Sequence, residues 1–356
     1  MDRKSIVILV FSIIGLIAWF PLVNKYYPPQ EQSRNVAENQ DGAVIIDQGN
    51  TAQAEETILQ SSETAPAVTR TPAVAISAPQ EPATVPENES LLIWENDNLA
   101  YEFTSAGGGI KTVILKQYQG TTKCNNEESE ETTETDHVRL NVNVPTPALN
   151  LFFGKLDNGF LPYTLRQEDD EILAEYLGPD GIRVLKTFQP GTNYVIEAKI
   201  TIENTSYEPK VIPEHYLVTG TATPTKPTDT GMYMGMRYHN GEGVEEIKES
   251  WFANRTLGCF PGTPRTVYPS EPGMVRWTAV ENQFFAMLAI PEEPAPGLVT
   301  QQINLAPPTP EILKAFPKAN MAPKGYQNSL SYPAQELEPG DTIERSFKFF
   351  TGPKEY

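Results

Sequence analysis

The chain has 356 residues, enough for one large domain or two smaller ones, and 32 of them are proline. Proline and glycine at this density break regular elements, so short strands and many turns are expected. A formal net charge of -19 argues against a nucleic-acid surface, whose phosphates would be repelled, and against a face lying flat on anionic lipid.

The first element is Ile6 to Val23, IVILVFSIIGLIAWFPLV, which carries no charge. At about 1.5 Å per residue, a helix of this length nearly crosses a bilayer core of about 30 Å. Arg3 and Lys4 precede it, and Trp19, Tyr26 and Tyr27 stand near its far end, where aromatics favour the interface. No A-x-A-like tripeptide follows the apolar run, so a retained anchor is expected rather than a cleaved signal. Arg3 and Lys4 place the N-terminus on the inside and everything after Val23 outside. Residues 1–27 are therefore read as a cytoplasmic start and a transmembrane anchor.

Residues 28–89 are rich in Pro, Ala, Thr, Gln and Glu. Such a composition cannot bury enough apolar surface to offset its ordering entropy, and a disordered spacer or tether is expected. The folded domain is expected over residues 90–353. LLIWEN and LAYEFTS read as strands joined at Asp97-Asn98, and three glycines, Gly107 to Gly109, then open the strand IKTVILKQY. Glu127 to Asp136 holds six acidic residues and no basic one, and lacks the spacing of a calcium loop. It reads as a solvated loop.

Further strands are expected at Ala148 to Phe153, Tyr163 to Gln167, Glu171 to Leu177 and Ile182 to Phe188. Tyr194 to Glu203 alternates Ile196, Ala198, Ile200 and Ile202 against Glu197, Lys199 and Thr201, the pattern of a sheet with one wetter face. Val211 to Thr219, Val275 to Val280, Gln283 to Ile290, Gln327 to Tyr332 and Thr342 to Phe350 complete the set. Glu311 to Phe316 reads as a short helix closed by Pro317. Many strands at short spacing with turn residues between them predict an all-β domain, a β-sandwich.

Chemistry is sparse. The two cysteines, Cys124 and Cys259, and three histidines, His137, His215 and His239, form no CxxC or HExxH spacing, so no structural zinc site is expected. Cys124 and Cys259 are read as unpaired thiols, although an oxidising compartment would allow a bridge. Glu214-His215 invites an acid/base reading, but neighbours on a strand point to opposite faces. Met232, Met234 and Met236, just before His239, alternate as packing residues do. No catalytic, cofactor-binding or metal-binding residue is assigned, and no enzyme activity is expected.

RWTAVENQFFAMLAIP, Arg276 to Pro291, reads as a hairpin in the core. This segment, GGGIKTVILKQY, LKTFQPGTNYVIEAKITIEN and the ending FKFFTGPKEY together resemble, in order and spacing, the N-terminal part of the Oxa/YidC family of membrane protein insertases. The resemblance implies a large twisted β-sandwich of the galactose-mutarotase-like supersandwich kind, placed in the periplasm after one inner-membrane helix. It implies a scaffold assisting insertion and folding of membrane proteins, with Sec translocon components and nascent membrane proteins as partners and no cofactor. It also places the insertase groove in a later membrane core; no apolar stretch after Val23 is long enough to span, so no insertase site residue carries over. A membrane-tethered carbohydrate-binding or mutarotase-like protein is the alternative. That alternative requires His215 or His239 to face a carboxylate across an open cleft.

Overall fold

A computed structural model describes residues 88–120, 137–156, 158–191, 193–255 and 262–354. The expected anchor at Ile6 to Val23, most of the tether, the acidic run, Cys124 and Cys259 lie outside these residues. Among the described residues no helix is long and apolar enough to cross a membrane.

Among the described residues, three sheets and a small ribbon make up the domain. The four-stranded sheet runs β1 (Leu91–Glu95), β2 (Leu99–Thr104), β3 (Gly109–Gln119) and β4 (His137–Leu140). The five-stranded sheet is ordered β14 (Val267–Pro269), β17 (Gly297–Asn304), β18 (Lys324–Tyr332), β11 (His215–Ala222) and β5 (Leu151–Phe153). The nine-stranded sheet is ordered β13 (Val244–Ile247), β12 (Gly235–His239), β15 (Trp277–Glu281), β16 (Phe285–Pro291), β20 (Thr342–Pro353), β9 (Val195–Asn204), β8 (Ile182–Pro190), β7 (Glu171–Leu177) and β6 (Thr164–Glu168). The ribbon pairs β10 (Lys210–Ile212) with β19 (Gln335–Leu337). Among the described residues two short α-helices, α1 (Glu249–Ala253) and α2 (Pro310–Ala315), lie in connections.

One face of the nine-stranded sheet is covered by both smaller sheets. Strands β11 and β18 pack over β15 and β16. The four-stranded sheet lies over the other half: Phe103 meets Phe188 at 5.0 Å between ring centroids, Tyr118 meets Phe285 at 5.3 Å, and the Tyr101 hydroxyl is 3.0 Å from Thr351 Oγ1. Residues 148–150 join the covering layers, because Ala148 bridges Ile110 while the Leu149 N–H donates to the Val218 carbonyl at 2.7 Å. This is the expected β-sandwich. Its core follows the period-two rule: Ile196, Ala198, Ile200 and Ile202 are buried, while Glu197 and Lys199 on the opposite face are exposed.

Two expected strands are corrected. Val211 to Thr219 is two strands in different sheets, β10 and β11, because Pro213 has no N–H to continue a ladder. Ala148 to Phe153 shrinks to β5, since Leu149 turns the chain with φ +64°. The helix expected at Glu311 to Phe316 is α2, opened by Thr309, whose hydroxyl accepts from the Ile312 N–H.

Candidate functional site

The residues with chemical character are scattered. His215 is buried at the start of β11, its ring stacked on Tyr332 at 5.3 Å and 15°. Its Nδ1 is 3.1 Å from the Pro213 carbonyl, so Nδ1 carries the proton, and its buried Nε2 has no partner among the described residues. Burial pushes its pKa down, against the Pro213 bond, which raises it. Glu214 faces solvent on the other side of the strand. His239 accepts the Gly241 N–H at Nδ1, 3.0 Å away, and lies beside Trp277. Met234 and Met236 are buried and Met232 is exposed. His215 is closed in by its stack, and no histidine forms an ion pair with a carboxylate among the described residues. Nor does any group of three or more His, Cys, Asp or Glu among them converge as metal ligands do.

A neutral buried imidazole gives a pH signature. The unfolded ring takes a proton near its ordinary 6.5 that the folded ring refuses, so stability should fall as pH drops through that value. His215→Phe keeps the stack and should flatten that part of the acid-side loss. Urea midpoints at about pH 5 and about pH 7.5 for both chains measure it; parallel curves would contradict it.

A cleft between β11, β15 and β16 has a volume of about 10 Å³, room for roughly one water molecule. Thr221, Thr223, Glu281, Asn282, Phe285 and Met287 line it. The Glu281 carboxylate there is held by Arg237 at 3.3 Å and Lys354 at 3.5 Å, so it is a paired anion rather than a free base. The hairpin Arg276 to Pro291 stands as expected, with the Asn282 Oδ1 accepting the Phe284 and Phe285 N–H groups at 3.0 and 2.9 Å.

Two buried polar constellations escaped the sequence reading. Lys186 on β8 is fully buried. Its Nζ donates to the Gly107 and Leu149 carbonyls, each at 2.7 Å, and sits 4.6 Å over the Tyr163 ring. It clamps the glycine turn and the 148–150 crossover to the large sheet. The signal was present, since Val184, Lys186 and Phe188 share one face of the strand. The second constellation is Asn328 on β18, whose Nδ2 donates to Thr278 Oγ1 at 2.8 Å and the Ala279 carbonyl at 3.1 Å across the sandwich. Its Oδ1 accepts from Thr300 Oγ1 at 2.7 Å. Both constellations are closed, and they hold sheets together without presenting a reactive group.

The family model for the YidC periplasmic domain matches residues 94–356. A membrane protein insertase YidC from Syntrophus aciditrophicus (strain SB) is 23% identical over 363 residues, covering 100% of this chain and 59% of that protein. The chain thus spans about three-fifths of that relative's length. Similar solved structures include a putative aldose 1-epimerase from Escherichia coli K12, 10% identical, covering 74% of this chain and 99% of that one, with a TM-score of 0.43. A galactose mutarotase-like protein from Lactobacillus casei ATCC 334 is 9% identical over 74% of this chain and 100% of that one, again at 0.43. Likeness at this level says nothing of activity. With the family model matching most of its length, the chain belongs to the YidC periplasmic domain family.

Proposed function

We propose that this chain is the periplasmic, partner-contacting part of a YidC-type membrane protein insertase. The observation that carries the reading is the family match over residues 94–356, which takes in all but the first residues of the strand-bearing region. The domain works as a scaffold for insertion and folding of membrane proteins, touching Sec translocon components and nascent chains and performing no chemistry. Residues 1–27 anchor it in the inner membrane through Ile6 to Val23, with the N-terminus cytoplasmic. Residues 28–89 space it from the bilayer, and residues 90–353 form the working domain. The membrane core that provides the insertion path is not supplied by residues 1–356.

Topology and partner contact are tested together. Protease added to spheroplasts should digest the region after Tyr27 and leave the N-terminus protected, with no mature protein released after Val23. Photo-crosslinkers placed singly at exposed positions of the full chain should yield adducts with translocon subunits. A free mature protein, or no translocon adduct from any position, would overturn the reading.

A further inference from the structure

We propose that the corner of the sandwich built around Asn204 is a docking surface for a basic, amphipathic segment of a partner protein. This rests on the reading of the domain as a partner-contact module. Asn204 ends β9 and is fully buried. Its Nδ2 donates to the Glu208 carbonyl at 2.8 Å and the Leu337 carbonyl at 2.9 Å, and its Oδ1 accepts the Ser206 N–H and hydroxyl at 3.0 and 2.7 Å. Its backbone N–H donates to the Asp341 carbonyl, and its own carbonyl accepts the Gly340 N–H. Thr205 donates to the Gly181 carbonyl from both its N–H and its hydroxyl. The β7–β8 turn, the β9–β10 turn, the β10–β19 ribbon and the β19–β20 turn are thereby fixed as one piece.

That piece displays apolar side chains to water. Tyr207 is 98% exposed, Val211 67% and Leu177 63%. Single exposed apolar residues are ordinary, but here three stand on turns and strands fixed to one hub. The backbone that carries Tyr207 is already held by these bonds, so a partner that covers the ring has only the side chain left to order. The surrounding charge selects the partner. Asp180, Glu208, Glu336, Glu338 and Asp341 are exposed, and none of the five joins an ion pair among the described residues. The cations beside them are the half-buried Lys210 and Arg183, opposite Leu177, whose charge is already held by Glu175 and Glu203. Over the whole chain the ratio is only 46 acidic to 27 basic residues. Like charge repels anionic lipid and a second copy of the same corner, and attracts a segment that pairs apolar residues with Lys or Arg.

The test uses the full chain in neutral-lipid nanodiscs and a labelled amphipathic peptide of leucine and lysine, read by anisotropy. The peptide should bind, and its leucine–glutamate counterpart should not. Tyr207→Ala should weaken binding about tenfold or more. Glu208→Gln, Glu336→Gln and Glu338→Gln together should weaken it about tenfold and flatten its salt dependence. Removing as many charges at Glu242, Glu245 and Glu271 should change it less than about twofold. Equal loss from both triple variants, a Tyr207→Ala chain that binds as wild type, or tight binding of the glutamate peptide would overturn the surface. In cells, a photo-crosslinker at position 207 should capture a basic segment; capture of a second copy of this chain would also overturn it. Translocon adducts from other positions with none from 207 would sink this surface and leave the functional reading intact. Lysine-peptide binding through Tyr207, with no translocon adduct from anywhere, would do the reverse.

Discussion

Lys186→Ala is expected to lower the unfolding free energy by about 3–5 kcal/mol. The side-chain Nζ is the donor that reaches the Gly107 and Leu149 carbonyls at 2.7 Å. Each buried acceptor left unpaired costs about 1–3 kcal/mol, and truncating a long buried side chain adds a void. Relief from burying a polar amine offsets part of this. The pH dependence separates the clamp from simple packing. Burial holds the Lys186 pKa well below the ordinary lysine value. Between that lowered value and about 10.4 the unfolded state binds the extra proton, so Lys186 makes stability rise with pH across this window. The alanine variant lacks that rise, so its deficit should grow toward about pH 9.5. Above about pH 10 the buried tyrosines act in the opposite sense: burial raises Tyr101 and Tyr163, so their unfolded forms ionise first and stability falls. Urea unfolding of both chains from about pH 7 to about pH 9.5 measures the effect. A deficit under about 1 kcal/mol, or parallel curves, would contradict the clamp.

Gly109→Ala should be comparably damaging, costing about 3 kcal/mol or more. A Cβ at Gly109 would stand 2.2 Å from the Ala148 carbonyl oxygen, a backbone atom that cannot move without breaking the Ile110–Ala148 bridge. Gly108 meets a similar limit, with φ +56° and the Tyr163 ring 2.5 Å from its Cβ position. Gly243→Ala is the comparison, because nothing lies within 4 Å of the Cβ it would add. It should change stability by no more than about 0.5 kcal/mol. Similar urea midpoints for the two variants would mean that the glycine turn is not packed as described.

Strand identity was legible wherever one face carried an unbroken apolar alternation. Residues 171–177 and the Ile196 to Ile202 stripe lie where the pattern put them. The turns at Asp97-Asn98 and Asn282-Gln283 were legible from their Asx residues; the first is closed by Asn96, one residue earlier than read, whose Oδ1 accepts the Asn98 and Leu99 N–H groups, and the second by Asn282. Strands with polar interiors were not. β17 reads GLVTQQIN, and its Thr300 and Gln301 are buried against partners far along the chain. Lys186 was passed over because a lysine in a strand is normally solvated, and only the fold brings Gly107 and Leu149 to it. The Asn204 corner was invisible for the same reason: the turns and ribbon that carry Leu177, Tyr207, Val211 and Glu336 are tied together only in the fold, by the Asn204 amide and by Thr205. The family resemblance survived because it rests on short strand and turn phrases, which the comparisons recover across residues 94–356.

The proposal that this chain contributes contacts outside the bilayer, with the insertion path made elsewhere, meets its most direct test in insertase-depleted cells. A polar segment crossing lipid needs groups that keep its backbone and charges solvated partway. Ile6 to Val23 offers no charge, a single hydroxyl at Ser12, and Gly15, which suits helix packing better than solvation. Residues 1–356, expressed at the level of the missing insertase, should fail to restore growth or insertion of a small phage coat protein, while still giving translocon adducts. Restored growth, or insertion by this chain alone in reconstituted vesicles, would contradict it.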